Sequence, residues 1–506
     1  MTDAPTITDT HRADNEDTVK RQADYAVLTW LVAATFIVIL NETIMMNAIP
    51  RLMSEFEVSA RAAQWLSTSF MLTMAVVIPV TGWFLQRVTT RQAYLVAMLT
   101  FCIGTAIAAL APVFSVLLAG RIVQATGTAV MMPLLMTTLM EVVPEWDRGR
   151  IMGRVVMAIS VAPALGPAVS GVILQFTSWR WMFGLVLPLA AAIAVAGLRK
   201  LTNVGEPTAG SVDVSSVILA ALGFGTLVYG LSAVGGAPIA FALPAISFAF
   251  IHTSAVTLTM GSLVFIGVGL LVIGLFVWRQ QLLQKSTGPL LDLRTLTHRT
   301  FTVGVVLMVV AFAGFMGSMI LLPIYLQDLR GLSSLQTGLL MMPGGLAMGL
   351  SGPRVGALFD RFGSRPLVVP GSLAVVAALA TLTQISQTTS IWVILAAHVA
   401  FMTGLAAIFT PVFTLSLSAV PEHLYSHASS LLGSTQQVAG AIGTAMSVTI
   451  LSSHTASLMR SGVAAEHAAI GGMQWAFAAS ALVSVGIIIL ALMLPARAPE
   501  GAMSHH

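Results

Sequence analysis

The chain has 506 residues, 57% of them apolar and only 9% charged, with a mean hydropathy of +0.90. So little polar surface excludes a water-soluble protein and specifies an all-α polytopic membrane protein. The formal net charge of +4 is dispersed in short basic clusters between apolar runs, which fits membrane topology and not a nucleic-acid partner, and the single cysteine, Cys102, excludes an internal disulfide.

Residues 1–24 are polar and mixed in charge, lack the basic lead of a secretory signal, and read as a disordered cytoplasmic tail. A helix of roughly 20 apolar residues crosses a bilayer. Fourteen such runs follow, near 25–49, 62–85, 93–113, 114–139, 151–175, 180–198, 214–235, 257–278, 301–327, 335–357, 367–386, 391–418, 428–451 and 472–494. The stretch between Asp213 and Arg279 contains no Asp, Glu, Lys or Arg and can be cut into two spans or three. Loop charge favours two: about eighteen of the 24 Lys and Arg residues then share the side of both termini, the cytoplasm by the positive-inside rule, and about five fall opposite. The apolar piece 237–251 becomes an outer-surface segment, and 495–506 a second cytoplasmic tail.

Offsetting the chain against itself reveals a repeat. At a shift of 274, Pro79, Gly82, Arg87 and Arg91 match Pro353, Gly356, Arg361 and Arg365; at 277, Arg121, Gly127, Pro144 and Glu145 match His398, Gly404, Pro421 and Glu422. The expected organisation is a six-helix half (25–198), two inserted helices with their linkers (199–300) and a second six-helix half (301–494). Parallel halves of this kind suit a rocking carrier with its site at mid-depth between them.

The residues resemble the major facilitator superfamily, specifically its fourteen-span drug:proton antiporters of the EmrB/QacA type. The second half carries the superfamily's loop signature from Gly356 to Arg365 (GALFDRFGSR), with Asp360, Arg361 and Gly363 inside it. Ala162 to Gly171 (APALGPAVSG) is similar to the antiporter motif, and Trp179 to Phe183 and Leu322 to Gln327 are similar to further family landmarks. The strings Leu40 to Thr43 (LNET), Gln64 to Leu72 (QWLSTSFML) and Thr89 to Gln92 (TTRQ) most resemble the branch that exports lincomycin and other drugs. Two departures stand out. Asn41 occupies the usual first-span acid position, with Glu42 one place later, and Gln86 replaces the usual Asp of the first-half loop, leaving Asp360 as the intact copy.

Glu42 is the only acidic residue well inside a long apolar stretch. An ionised carboxylate there costs about 2.5 to 3.5 kcal/mol on insertion scales, so it faces a bundle interior or watery cavity and serves a pathway. Counted along their spans, Glu42 and Arg121 both lie roughly 10 to 12 Å from the outer surface. A neighbouring cation and desolvation act oppositely on a carboxyl group's proton affinity, so a gate that alters either can load and release a proton. Glu42 is the expected proton carrier and Arg121 its tuner; the plainer alternative is a static pair that orders helices. Candidate cavity residues are Asn41, Trp65, Gln124, His398, Phe401, Gln436 and Gln437. Gln124 can serve substrate, Arg121 or helix packing, and His398 is either a titrating group or a core histidine satisfied by a neighbouring hydroxyl or carbonyl. The resemblance places one of Gln436 and Gln437 at the cavity. Gating and hinge residues are Gly82, Arg87, Arg91, Gly166, Pro167, Gly171, Gly356, Asp360, Arg361, Gly363 and Arg365. Trp179 and Trp181 are expected as interfacial anchors.

No phosphate-binding glycine loop occurs, the scattered histidines form no metal cluster, and no catalytic side chains gather at one depth. The expectation is a cofactor-free secondary transporter of the plasma membrane, exporting amphiphilic drugs in exchange for protons by alternating access. A dedicated exporter of an endogenous metabolite on the same scaffold is the alternative.

Overall fold

The computed structural model describes residues 27–58, 60–203, 213–235, 254–284 and 288–495. The expected N-terminal tail, the apolar piece 237–251 and all but the first residue of the C-terminal tail lie outside the described residues. Fourteen long helices organise the rest, each overlapping one apolar run in order: α1 (Val27–Ile44), α2 (Ala60–Leu85), α3 (Thr90–Ala109), α4 (Phe114–Val142), α5 (Arg148–Phe176), α6 (Arg180–Lys200), α7 (Val214–Gly235), α8 (Ser254–Leu283), α9 (Arg299–Ile324), α10 (Ser334–Phe362), α11 (Arg365–Leu382), α12 (Ile391–Ser418), α13 (Tyr425–Arg460) and α14 (Ala465–Met493). Twelve are long and apolar enough to cross a membrane among the described residues; α10 and α13 are long enough but diluted by Gly, Ser and Thr.

Local chemistry sets the helix ends. Thr89 with Gln92 starts α3 through a capping box, and Ser333 with Gln336 does the same for α10. Gly363, at φ +82°, ends α10 in a conformation that side chains other than glycine rarely adopt. Arg91 then donates to the Leu198 carbonyl at the end of α6 (2.8 Å), and Arg365, its match in the repeat, donates to the Leu494 carbonyl just past α14 (2.9 Å). Each guanidinium satisfies carbonyls that a helix C-terminus leaves open and complements its dipole.

Two helix pairs hold the bundle together across the repeat: α5 lies on α10, and α2 on α13. Each is the fifth helix of one run against the second of the other, so the repeat operation exchanges them. The α5–α10 contact is backbone on backbone. A Cβ built on Gly153 would meet the Gly352 carbonyl carbon at 2.7 Å, and one built on Gly356 would meet the Gly149 carbonyl carbon at 2.6 Å. Small residues permit that approach, which in a bilayer supplies the dispersion contacts that drive helix association.

The inserted helices α7 and α8 pack on each other, with α7 lying against α2 and α13. Arg279 clamps the pair by donating Nε and Nη2 to Asp213 (2.7 and 2.8 Å), and these bonds, with those from Ser216, hold the Asp213 carboxyl well below the usual carboxylate range. Trp65 of α2 stacks on Tyr229 of α7, which meets Phe265 of α8 edge-on.

One expectation is corrected here. Trp179 is fully buried against Phe56 and Phe183, a packing element at the start of α6 and not an interfacial anchor. Its neighbour Trp181 is 60% exposed. Two residues apart on a helix point about 200° apart, so one ring faces the bundle and the other its surroundings.

Candidate proton and substrate pathway

The site begins where α1 ends. After Ile44 the chain tightens into a 3-10 turn, Met45–Ala48, that packs on α5. Glu42 sits half-buried on the last helical turn before this change. Asn41 beside it is buried, and its Nδ2 has no hydrogen-bond partner among the described residues.

Arg121 lies inside α4 with 1% of its surface exposed. Its Nη1 donates to Gln124 Oε1 (2.7 Å), and Gln124 Nε2 donates to Thr105 Oγ1 on α3 (2.7 Å). The guanidinium lies 4.1 Å from the centre of the Phe70 ring of α2. A desolvated cation over an aromatic face gains about 2 kcal/mol, which offsets part of the cost of burial. No ion pair of 4 Å or less joins Arg121 to Glu42 among the described residues, and Arg121 Nε has no hydrogen-bond partner. The two charges nevertheless act on each other at longer range. Arg121 is thus held by an amide and a ring, with its charge left uncancelled.

His398, the repeat partner of Arg121, is also buried, but its Nε2 meets the Met341 carbonyl at 3.2 Å and its ring fills the space above Gly344. Phe401 is fully enclosed in the core. On α13, Gln437 Nε2 contacts Met74 Sδ of α2 at 3.9 Å, while Gln436 Nε2 has no partner among the described residues. The structure therefore brings Glu42, Arg121, Gln124, Phe70 and Thr105 into one region, turns Trp65 toward α7 and seals Phe401 and His398 into packing.

The expected gating residues of the two matched loops fall at the opposite end of the helices. Asp360 accepts hydrogen bonds from the backbone N–H groups of Gly149 (2.9 Å) and Arg150 (2.8 Å). It thereby caps the first turn of α5 from the end of α10, a charge-assisted contact with a helix N-terminus. Gln86, at the repeat position, donates instead to the His423 carbonyl just before α13 (3.0 Å). An amide substitutes for the carboxylate, so one of the two matched contacts is ionic and the other neutral. Gly82 rests against Ser426, His427 and Ser430, and Thr137 bonds Ser429 across α4 and α13 (3.0 Å). Arg87 lies over its own Trp83 ring and Arg361 over Phe362. In α5, Gly166 lies against Thr43 and Gly171 near Leu335; the side chain of Pro167 is outside the described residues. Thr43, Phe70 and Thr105 were not among the expected site residues. The first two belong to the motif strings LNET and QWLSTSFML, which was the available signal; Thr105 had none.

The sequence model described as Major Facilitator Superfamily matches residues 31–444. The chain is 35% identical over 472 residues to an uncharacterized MFS-type transporter, YcnB, of Bacillus subtilis, covering 93% of this chain and 95% of that one. It is 36% identical over 426 residues to the lincomycin resistance protein LmrB of Listeria monocytogenes, covering 84% and 86%. The human organic anion transporter MFSD10 has the same fold, with a TM-score of 0.64 at 13% identity over 92% of this chain and 99% of that chain.

Proposed function

Because the chain belongs to the major facilitator superfamily, a family of multi-pass membrane transporters and not enzymes, we propose that it exports amphiphilic drugs across the plasma membrane in exchange for protons. Similarity over most of its length to a protein named for lincomycin resistance supports the substrate class. The reciprocal α5–α10 and α2–α13 contacts support two six-helix halves that rock about a central site, with α7 and α8 added at the side.

The observation that carries the proton reading is the open pair of Glu42 and Arg121. A closed ion pair would favour the ionised carboxylate and a static, helix-ordering role. Here Arg121 is buried yet, among the described residues, bonded only to neutral groups, so a modest helix displacement changes the field at Glu42. Glu42 takes a proton from the outside, and release to the cytoplasm accompanies drug departure. Glu42→Gln, which keeps size and polarity but cannot ionise, is expected to abolish efflux driven by a pH gradient while the protein still inserts and folds. Uphill efflux at the wild-type rate in that variant would remove Glu42 from the mechanism.

A further inference from the structure

Gly166 lies where α5 touches the turn of α1 that carries Glu42. A Cβ on Gly166 would overlap the Thr43 hydroxyl and lie 2.7 Å from Thr43 Cβ and 3.1 Å from its carbonyl carbon. The Thr43 hydroxyl cannot swing freely aside, because it donates back to the Leu40 and Ile39 carbonyls of its own helix (3.0 and 3.3 Å). The 3-10 turn that follows also rests on α5, so the chain is seated on this helix at Thr43 and just beyond it.

The other end of α5 is fixed to α10. Asp360 caps its first turn, Gly149 and Gly153 meet Gly356 and Gly352 backbone to backbone, and Gly349 packs on Val161 and Met157. From Gly149 to Gly166 is roughly 25 Å of helix. One helix therefore contacts both the Asp360 latch and the Glu42 turn.

We infer that Gly166, through its contact with Thr43, is the positioning residue for Glu42, and that α5 transmits the state of the Asp360 latch to the carboxylate along this line. The inference rests on the proposed proton role of Glu42 and adds to it a route by which gate and proton site communicate. When α10 releases the first turn of α5, the glycine moves against Thr43 and shifts Glu42 relative to Arg121, the charged group that acts on it among the described residues.

The test needs no knowledge of the substrate. Dicyclohexylcarbodiimide reacts with protonated carboxyl groups in apolar surroundings, so the pH of half-maximal labelling at Glu42 reports its environment, with Glu42→Gln as the blank. In the full-length protein in proteoliposomes, Gly166→Ala should move that midpoint by about one pH unit. In a Thr43→Gly background, which lacks the hydroxyl and Cβ that the new methyl meets, Gly166→Ala should leave the midpoint where Thr43→Gly alone sets it. Asp360→Ala, at the far end of α5, should move it in the Gly166→Ala direction. A wild-type midpoint in Gly166→Ala, or an equal displacement by Gly166→Ala in the Thr43→Gly background, overturns the inference. If Gly166→Ala does not yield folded protein, recovery of yield only with Thr43→Gly supports the contact and loss in both variants contradicts it. The two readings fail separately: wild-type uphill efflux in Glu42→Gln retires the proton role, whereas an unmoved midpoint in Gly166→Ala retires only the contact.

Discussion

Arg121 shows what one side chain must satisfy at this depth. Its guanidinium uses a flat face against Phe70 and an edge toward Gln124, a combination that a lysine ammonium cannot reproduce although it carries the same charge. Arg121→Lys should therefore lower proton-driven efflux by about tenfold, the equivalent of losing a 1 to 2 kcal/mol contact, while leaving expression intact. An unchanged rate would mean that only the charge matters. Glu42 and Arg121 were legible from sequence because an ionisable residue in an apolar run is expensive and therefore conspicuous. Phe70 and Thr105 were not, since an aromatic ring or a hydroxyl inside a membrane helix costs little and marks no position. Trp179 was misread for a related reason: composition says that a tryptophan lies near a helix start, and only packing says which side of the helix it occupies.

At the level of helices, the two latches differ by one functional group. Asp360 brings a charge to the N-terminus of α5, whereas Gln86 reaches a carbonyl before α13. Gln86→Asp should place a carboxylate at the first turn of α13 and strengthen closure on this side by about 1 kcal/mol, within the range of a helix-dipole contact. In a Cys102→Ala background, a cysteine at Thr137, which bonds Ser429 across the interface, should then react several-fold more slowly with a water-soluble maleimide. Faster reaction would show that the neutral amide is the better latch. The matched loops were visible in the sequence through the 274-residue shift, as was the loss of the first-half acid. The partner helix of each loop was not, because the glycine contacts that join α5 to α10 specify close approach without saying to what. Trp65 belongs to the same class: an aromatic face on a candidate cavity helix does not say which helix it meets, and its ring stacks on Tyr229 of α7.

Over the whole molecule, composition and periodicity carried the fold further than the site. Each apolar run became one long helix, and α10 and α13, the least apolar of them, serve as interior partners in the two cross-repeat contacts, where Gly and Ser give more than Leu would. An even number of spans requires both ends on one face of the membrane. Cysteines at Asn15 and Pro499, again without Cys102, should both stay unlabelled by an impermeant maleimide in intact cells and both react after permeabilisation; labelling of just one in intact cells would require an odd count. The central claim is that the Glu42 carboxyl group exchanges its proton as drug crosses between the halves. Drug-dependent proton release from proteoliposomes tests it most directly. The wild-type protein should release protons on addition of a transported drug, and Glu42→Gln should bind the drug and release none; release of equal size from both would contradict the account.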